Sequence, residues 1–319
     1  MHRYFLIPTI IIFIIIVLLV IYSQYFYVDW KWTFIPDNFD TKTETYKEKI
    51  LPDICNDESE IKLIKQNKDI SENRSYNDQT DISSDPAIHA VYFLPCDGED
   101  RKFDINGKIN SSIQSINKWF LDKTKNQIIN FDKTSDNLID ITFIQVNKSI
   151  EWFTKFNTIE NNKNDASSKI EKIILSNKNL FNNFENKKFI IFFEGWEKRV
   201  SILNKICGRS RYNGKVAIFY TNDTNKKLKS CTKDRIGDSN NQVFAESEQT
   251  ILHEILHSLG VPSKCSKNLD ENLSHINDSK DDIMNKVSGS LYLDFNNDDY
   301  YKHNIPNCPD LSMSKFLTN

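Results

Sequence analysis

Thr250-Ile251-Leu252-His253-Glu254-Ile255-Leu256-His257-Ser258-Leu259-Gly260 is the stretch that decides the reading of this chain. Ile251, Leu252, Ile255, Leu256 and Leu259 give it the apolar flanks of a helix held in a core, and no charge other than Glu254 interrupts residues 250–261. On a helix, positions i and i+4 sit one turn apart on the same face, so His253 and His257 can offer imidazole nitrogens to one ion. Glu254 is rotated away from that pair, yet its carboxylate can reach a water held beside the ion. It is a candidate base and not a ligand. Gly260 supplies a helix stop. The competing reading is a buried helix whose histidines hydrogen-bond to nearby backbone. That arrangement would need several unrelated partners for two imidazoles and one carboxylate.

The H-E-x-x-H spacing is a zinc pattern, and the segment resembles the zincin metallopeptidases. Its H-E-x-x-H-x-x-G form with a nearby Met is similar to the metzincin branch. The resemblance implies a catalytic Zn2+ held by three protein ligands with water in the fourth position, Glu254 acting as general base, and a peptide or protein substrate. In that branch a third histidine follows the glycine by three residues, and here that place is Ser263. The next imidazole is His275, the first candidate for the third ligand through a longer loop. Asp278 is the alternative. Glu271 comes third, because its neighbours lack the helical periodicity that a gluzincin glutamate would have.

Asp281-Asp282-Ile283-Met284-Asn285 resembles the Met-turn of metzincins, in which a methionine forms an apolar floor beneath the metal histidines. Ordinary core packing competes with that reading. In Asp294-Phe295-Asn296-Asn297-Asp298-Asp299-Tyr300-Tyr301 the D-x-N-x-D spacing resembles a calcium loop, but Asp299 replaces its glycine and Ile305 its closing Glu, which weakens a calcium reading. Tyr300 or Tyr301 is a candidate hydrogen-bond donor to a developing oxyanion, against the plainer reading of a packed tyrosine with a wet hydroxyl.

No charged side chain lies between Arg3 and Asp29, and residues 4–22 are almost wholly apolar, long enough to cross a hydrocarbon core. The bulky exit Tyr25-Phe26-Tyr27 is unlike a cleavage site, and with Trp30 and Trp32 it fits an interfacial belt. Residues 1–28 are therefore expected to form an N-terminal signal anchor or transmembrane helix; secretion after cleavage is the alternative. Arg3 and the terminal amine place the bulk of the chain outside the cytoplasm. All six cysteines lie on that outward side, an even number that fits disulfides. Sequence proximity pairs Cys207 with Cys231, Cys265 with Cys308, and Cys55 with Cys96. Inhibition of the metal by a Cys55 thiolate is a further reading, but its surroundings do not match a known pro-segment motif.

Residues 29–86 are dominated by polar residues and read as a stalk or mobile preceding segment. Residues 87–319 are long enough for one well-buried domain. Within it, strands are expected at 88–94, 139–146, 188–193 and 215–220, with helical spacing at 109–124, 150–156 and 167–181. The expected fold class is α+β, a zincin-like mixed sheet backing the active-site helix, with a loop-rich C-terminal part. The sheet-and-helix layout comes from the resemblance; periodicity gives the order of elements. A formal net charge of -3 with interspersed basic residues makes nucleic acid an unexpected partner. Asn-x-Ser/Thr sequons such as Asn73, Asn110 and Asn222 carry information only in a host that glycosylates. A non-catalytic surface binding protein on the same scaffold is the alternative to a peptidase.

Overall fold

Four apolar runs become the parallel strands of one sheet. The computed structural model describes residues 55, 60–64, 74–155, 165–197, 206–221, 244–272, 274–287, 289 and 291–319. In chain order the elements are β1 (Ala87–Leu94), α1 (Lys108–Thr124), β2 (Ile128–Ile129), β3 (Ile141–Gln145), α2 (Ile150–Thr154), α3 (Ala166–Ser176), β4 (Lys187–Phe193), β5 (Gly208–Ser210), β6 (Val216–Tyr220), α4 (Glu246–Ser258) and β7 (Leu317–Thr318). The main sheet runs β3-β1-β4-β6-β5. β3, β1, β4 and β6 are parallel, and β5 returns antiparallel on the outer edge of β6.

β1 and β6 are buried at every position because both faces of the sheet are covered, which is why these strands read as continuous apolar runs without polar alternation. Successive side chains still point to opposite faces. Ala90, Tyr92, Leu94, Ile190, Phe192 and Phe219 pack with Ile109, Ile113, Ile116 and Phe120 of α1 and with Ile251, Leu252, Ile255 and Leu256 of α4. Val91, Phe93, Ile191, Phe193, Ile218 and Tyr220 pack on the other face with Phe153 of α2 and Ile170, Ile173 and Ile174 of α3. Each fully buried aliphatic side chain contributes about 1.5–3 kcal/mol, so the four of α4 hold that helix on the sheet without help from its modest helix propensity.

The expected mixed sheet and loop-rich C-terminal part are present: after α4 the chain forms turns, two short 3-10 segments and β7, which pairs with β2. Among the described residues no helix is long and apolar enough to cross a membrane. The expected span, residues 1–28, lies outside the described residues.

Part of the polar segment before β1 is tied to the domain. Ile64 donates to the Gln145 carbonyl at 2.8 Å, and Arg74 reaches Asp100 at 2.6 Å and Asp104 at 2.9 Å while lying over the Phe143 ring. Cys55 is bonded to Cys96 and Cys265 to Cys308, both as expected. Cys207 is also disulfide-bonded; Cys231, its expected partner, lies outside the described residues.

Candidate metal centre

The centre is built on α4. At its start Glu246 and Glu248 meet the positive end of the helix dipole, and Glu248 accepts the Ala245 N–H at 3.1 Å and the Ser112 hydroxyl of α1 at 2.8 Å. At its end Gly260 takes φ +89°, where a side chain would be strained. Gly260 N–H donates to His257 O at 3.0 Å and Val261 N–H to Leu256 O at 3.1 Å, a Schellman closure. The helix therefore stops one residue after His257, at Ser258, and turns the chain back over its own end.

That turn orients the candidate ligands. His257 Nδ1 meets the Val261 carbonyl at 2.9 Å, and His253 Nδ1 meets the Ile283 carbonyl at 2.7 Å. A carbonyl can only accept, so each Nδ1 carries the proton and each Nε2 keeps its lone pair. His275 joins them from the loop, its Nδ1 3.0 Å from Ser274 Oγ and 3.5 Å from Asp270. The three rings have centroids 4.5, 5.3 and 5.3 Å apart, and one ligand atom from each lies within 4.8 Å of the others. Burial drives the ordinary imidazole pKa down in all three, well below it for His253 and to about 4 for His257, with neighbouring rings adding to the shift in those two. Neutral imidazoles with converging lone pairs are the donor set that zinc takes.

His275 reaches the helix because its loop is closed twice. The Cys265–Cys308 disulfide lies at the start of the loop. Within it Leu269 and Ile276 bridge antiparallel, Asp270 N–H donates to His275 O at 2.8 Å, and the Asp270 carboxylate accepts the N–H groups of Ser274 and His275 at 2.9 and 3.2 Å. Ile276 N–H then donates to Met284 O at 2.9 Å, joining this small hairpin to the turn that supplies the Ile283 carbonyl. Asp282 shapes that turn: its carboxylate accepts Met284 N–H at 2.7 Å, Phe295 N–H at 2.8 Å and the Tyr300 hydroxyl at 2.8 Å. Burial raises the Asp282 pKa to about 7, opposed by those donors. Met284 is fully buried among the apolar residues of α4.

Glu254 lines a cleft of about 230 Å³ with Gly208, Arg209, Ser210, Tyr212, His257, Pro262, Ser274 and His275. The side chain is buried. Burial pushes its carboxyl up to about 8; the Arg209 cation and the Ser210 N–H oppose the shift, and the Glu197 charge adds to it. Arg209 pairs with Glu197 and, at 3.0 Å, with Asp165. Asp165 also caps α3 by accepting Ser168 N–H at 2.7 Å, so this ion pair joins the edge strand to a helix on the opposite face of the sheet.

The structure thus brings His253, His257, His275 and Glu254 together and leaves the other candidates elsewhere. Asp278 groups with Asp298 and Asp299 around the Asn268 side-chain amide, apart from the three rings. Glu271 is exposed. Tyr300 does not line the cleft, because its buried hydroxyl is committed to Asp282, and the Tyr301 hydroxyl donates to Gln127 at 3.0 Å. Sequence reasoning missed β5 and with it Gly208, Arg209, Ser210 and the cleft residue Tyr212. One signal for them exists: Asn213-Gly214 is a strong hairpin dipeptide, and Asn213 takes φ +52° in the β5–β6 turn.

No protein-family model and no curated protein matches the chain. Among solved structures it is similar to OgpA from Akkermansia muciniphila. A catalytically inactive form in complex with an O-glycopeptide (glycodrosocin) substrate aligns at 11% identity and a TM-score of 0.34, covering 66% of this chain and 52% of that one. The wild-type form aligns at 12% identity and a TM-score of 0.30, covering 66% and 53%. This chain spans about half the length of those proteins. A likeness so distant leaves the reading of the site to its own residues.

Proposed function

We propose that the chain is a zinc-dependent endopeptidase working outside the cytoplasm, attached to the membrane through residues 1–28. The observation that carries the reading is the meeting of three neutral imidazoles with a carboxylate that lines the same cleft. His253, His257 and His275 would hold the metal through the nitrogens opposite their anchored Nδ1 atoms. Bound there, zinc supplies a Lewis acid for the scissile carbonyl and lowers the pKa of water toward about 7. Glu254 takes a proton from the attacking water onto a carboxylate oxygen and delivers it to the departing amine nitrogen. Burial beside the apolar face of α4 keeps that carboxylate poorly hydrated, so little solvent has to be rearranged as the proton moves. The disulfides support an oxidising compartment, and the apolar N-terminal stretch supports the anchor.

The test is cleavage of a mixed peptide library by the purified full chain, with and without a chelator, beside Glu254→Gln. We expect chelator-sensitive cleavage by the native chain, and in the variant a loss of roughly 10²–10⁴-fold with zinc retained. Full activity in the variant would rule out Glu254 as the base.

A further inference from the structure

Gly208 sits against the catalytic side chain. A Cβ placed on it would stand 2.5 Å from Glu254 Cγ, 2.8 Å from Glu254 Oε1 and 2.9 Å from Thr250 Cγ2. Such distances are shorter than packed atoms allow, so any other residue at 208 forces a neighbour to move. No turn demands glycine here: the residue lies in a strand and pairs with Phe219 of β6. What demands it is the closeness of β5 to α4. Two positions on, the Ser210 N–H acts on the Glu254 carboxyl and opposes the rise of its pKa. Arg209, between them, ties the strand to Glu197 and to Asp165 at the start of α3.

We infer that β5 is the positioning element of Glu254: the bare backbone at Gly208 leaves room for the Glu254 side chain against the strand, and that contact sets where its carboxylate lies. This rests on the reading of Glu254 as base. Thr250 and Glu254 are one helical turn apart and both face Gly208, so the contact fixes the rotamer of Glu254 as well as the distance of the helix from the sheet edge. A carboxylate pushed off this position by a methyl group moves on the order of 1 Å, and misplacement of that size costs a reaction about 10²-fold. Gly208 acts through Glu254 and needs no contact with substrate of its own.

The experiment is Gly208→Ala in the full chain, read by zinc content, by kcat and KM on one peptide cleaved from the library, and by a crystal structure. We expect zinc to stay bound, KM to change by less than about twofold and kcat to fall about 10²-fold, with the carboxylate displaced from its native position. Added to Glu254→Gln, the same substitution should cause no further loss, since it acts through a group already removed. A kcat within about twofold of the native chain, or an undiminished loss on top of Glu254→Gln, overturns the assignment. Should Gly208→Ala fail to fold, Gly208→Ala/Thr250→Ser removes the Thr250 methyl and repeats the test; failure of that variant to hold zinc overturns the assignment too, because glycine would then serve the fold as a whole. If the native chain shows no chelator-sensitive cleavage, the peptidase reading fails separately. The crystal structure then decides: a displaced carboxylate upholds the positioning and an unmoved one ends it.

Discussion

Two clusters in this protein hold histidine beside other metal-binding side chains, and they differ in what takes the imidazole nitrogens. In the first, His253, His257 and His275 bring ligand atoms within 4.8 Å of one another; in the second, Asp78, His89, Asp132 and Asp140 do the same. In the second every ring nitrogen is taken: His89 Nδ1 bonds Asp132 at 2.7 Å and Nε2 bonds Thr142 at 2.8 Å. A lysine supplies the positive charge, Lys187 pairing with Asp78, with Asp81 at 2.6 Å and with Asp132 at 2.6 Å. In the first, each ring's hydrogen bonds among the described residues run through Nδ1 alone, and a cleft opens beside the rings. Proximity of donor types is therefore no criterion for a metal site. What separates the two is whether the protein itself takes both nitrogens of the imidazole.

Substitutions in the two clusters should differ in kind. His257→Ala removes a ligand and should lose stoichiometric zinc and peptide cleavage together while the domain stays folded; a variant still holding one zinc per chain with native affinity would break the contrast. Lys187→Met leaves three carboxylates without their cation and should cost roughly 3–5 kcal/mol of stability, with zinc content per folded chain unchanged. Loss of zinc at unchanged stability would mean that the metal belongs to the second cluster.

Next in size is a pH effect on the metal-free protein. His257 is held to about 4 in the fold against its ordinary 6.5, so between those values the unfolded chain binds a proton that the folded chain refuses. Stability from this group is complete above about pH 6.5 and declines as pH falls toward 4, by up to about 3 kcal/mol. Denaturant unfolding at several pH values should show this slope, and His257→Gln should lack that part of it. The smallest effect is expected from Tyr300→Phe. With its hydroxyl on Asp282 and not in the cleft, the substitution should cost about 1–2 kcal/mol in denaturant unfolding and leave kcat and KM as they were. A large fall in kcat alone would return Tyr300 to the catalytic site.

The sequence made the sheet legible wherever a strand was long and apolar. β1, β4 and β6 stand within a residue of the expected 88–94, 188–193 and 215–220, because strands buried on both faces leave unbroken apolar runs. β5 is Gly-Arg-Ser and has no such signature; pairing with β6 and the Asn213-Gly214 turn make it a strand. The β2–β7 pair joins residues far apart in the chain and leaves no local trace. The segment expected as a helix over 167–181 ends at Ser176, where Asn177 takes φ -119° and a 3-10 turn follows.

At the site, the i, i+4 period alone relates His253 to His257. The place of His275 depends on a hairpin held by the expected Cys265–Cys308 disulfide and also by the Asp270 carboxylate and the Ile276–Met284 bond, and these last two no pattern of residue types encodes. The same holds for Tyr300, whose direction is set by an aspartate eighteen positions away.

Anomalous scattering at the zinc edge, from crystals of the full chain grown with added zinc, tests the central claim most directly. One peak among the rings of His253, His257 and His275, and none beside His89, is the expected result. Rings without a peak, or a peak lodged among Asp78, His89, Asp132 and Asp140, would contradict it.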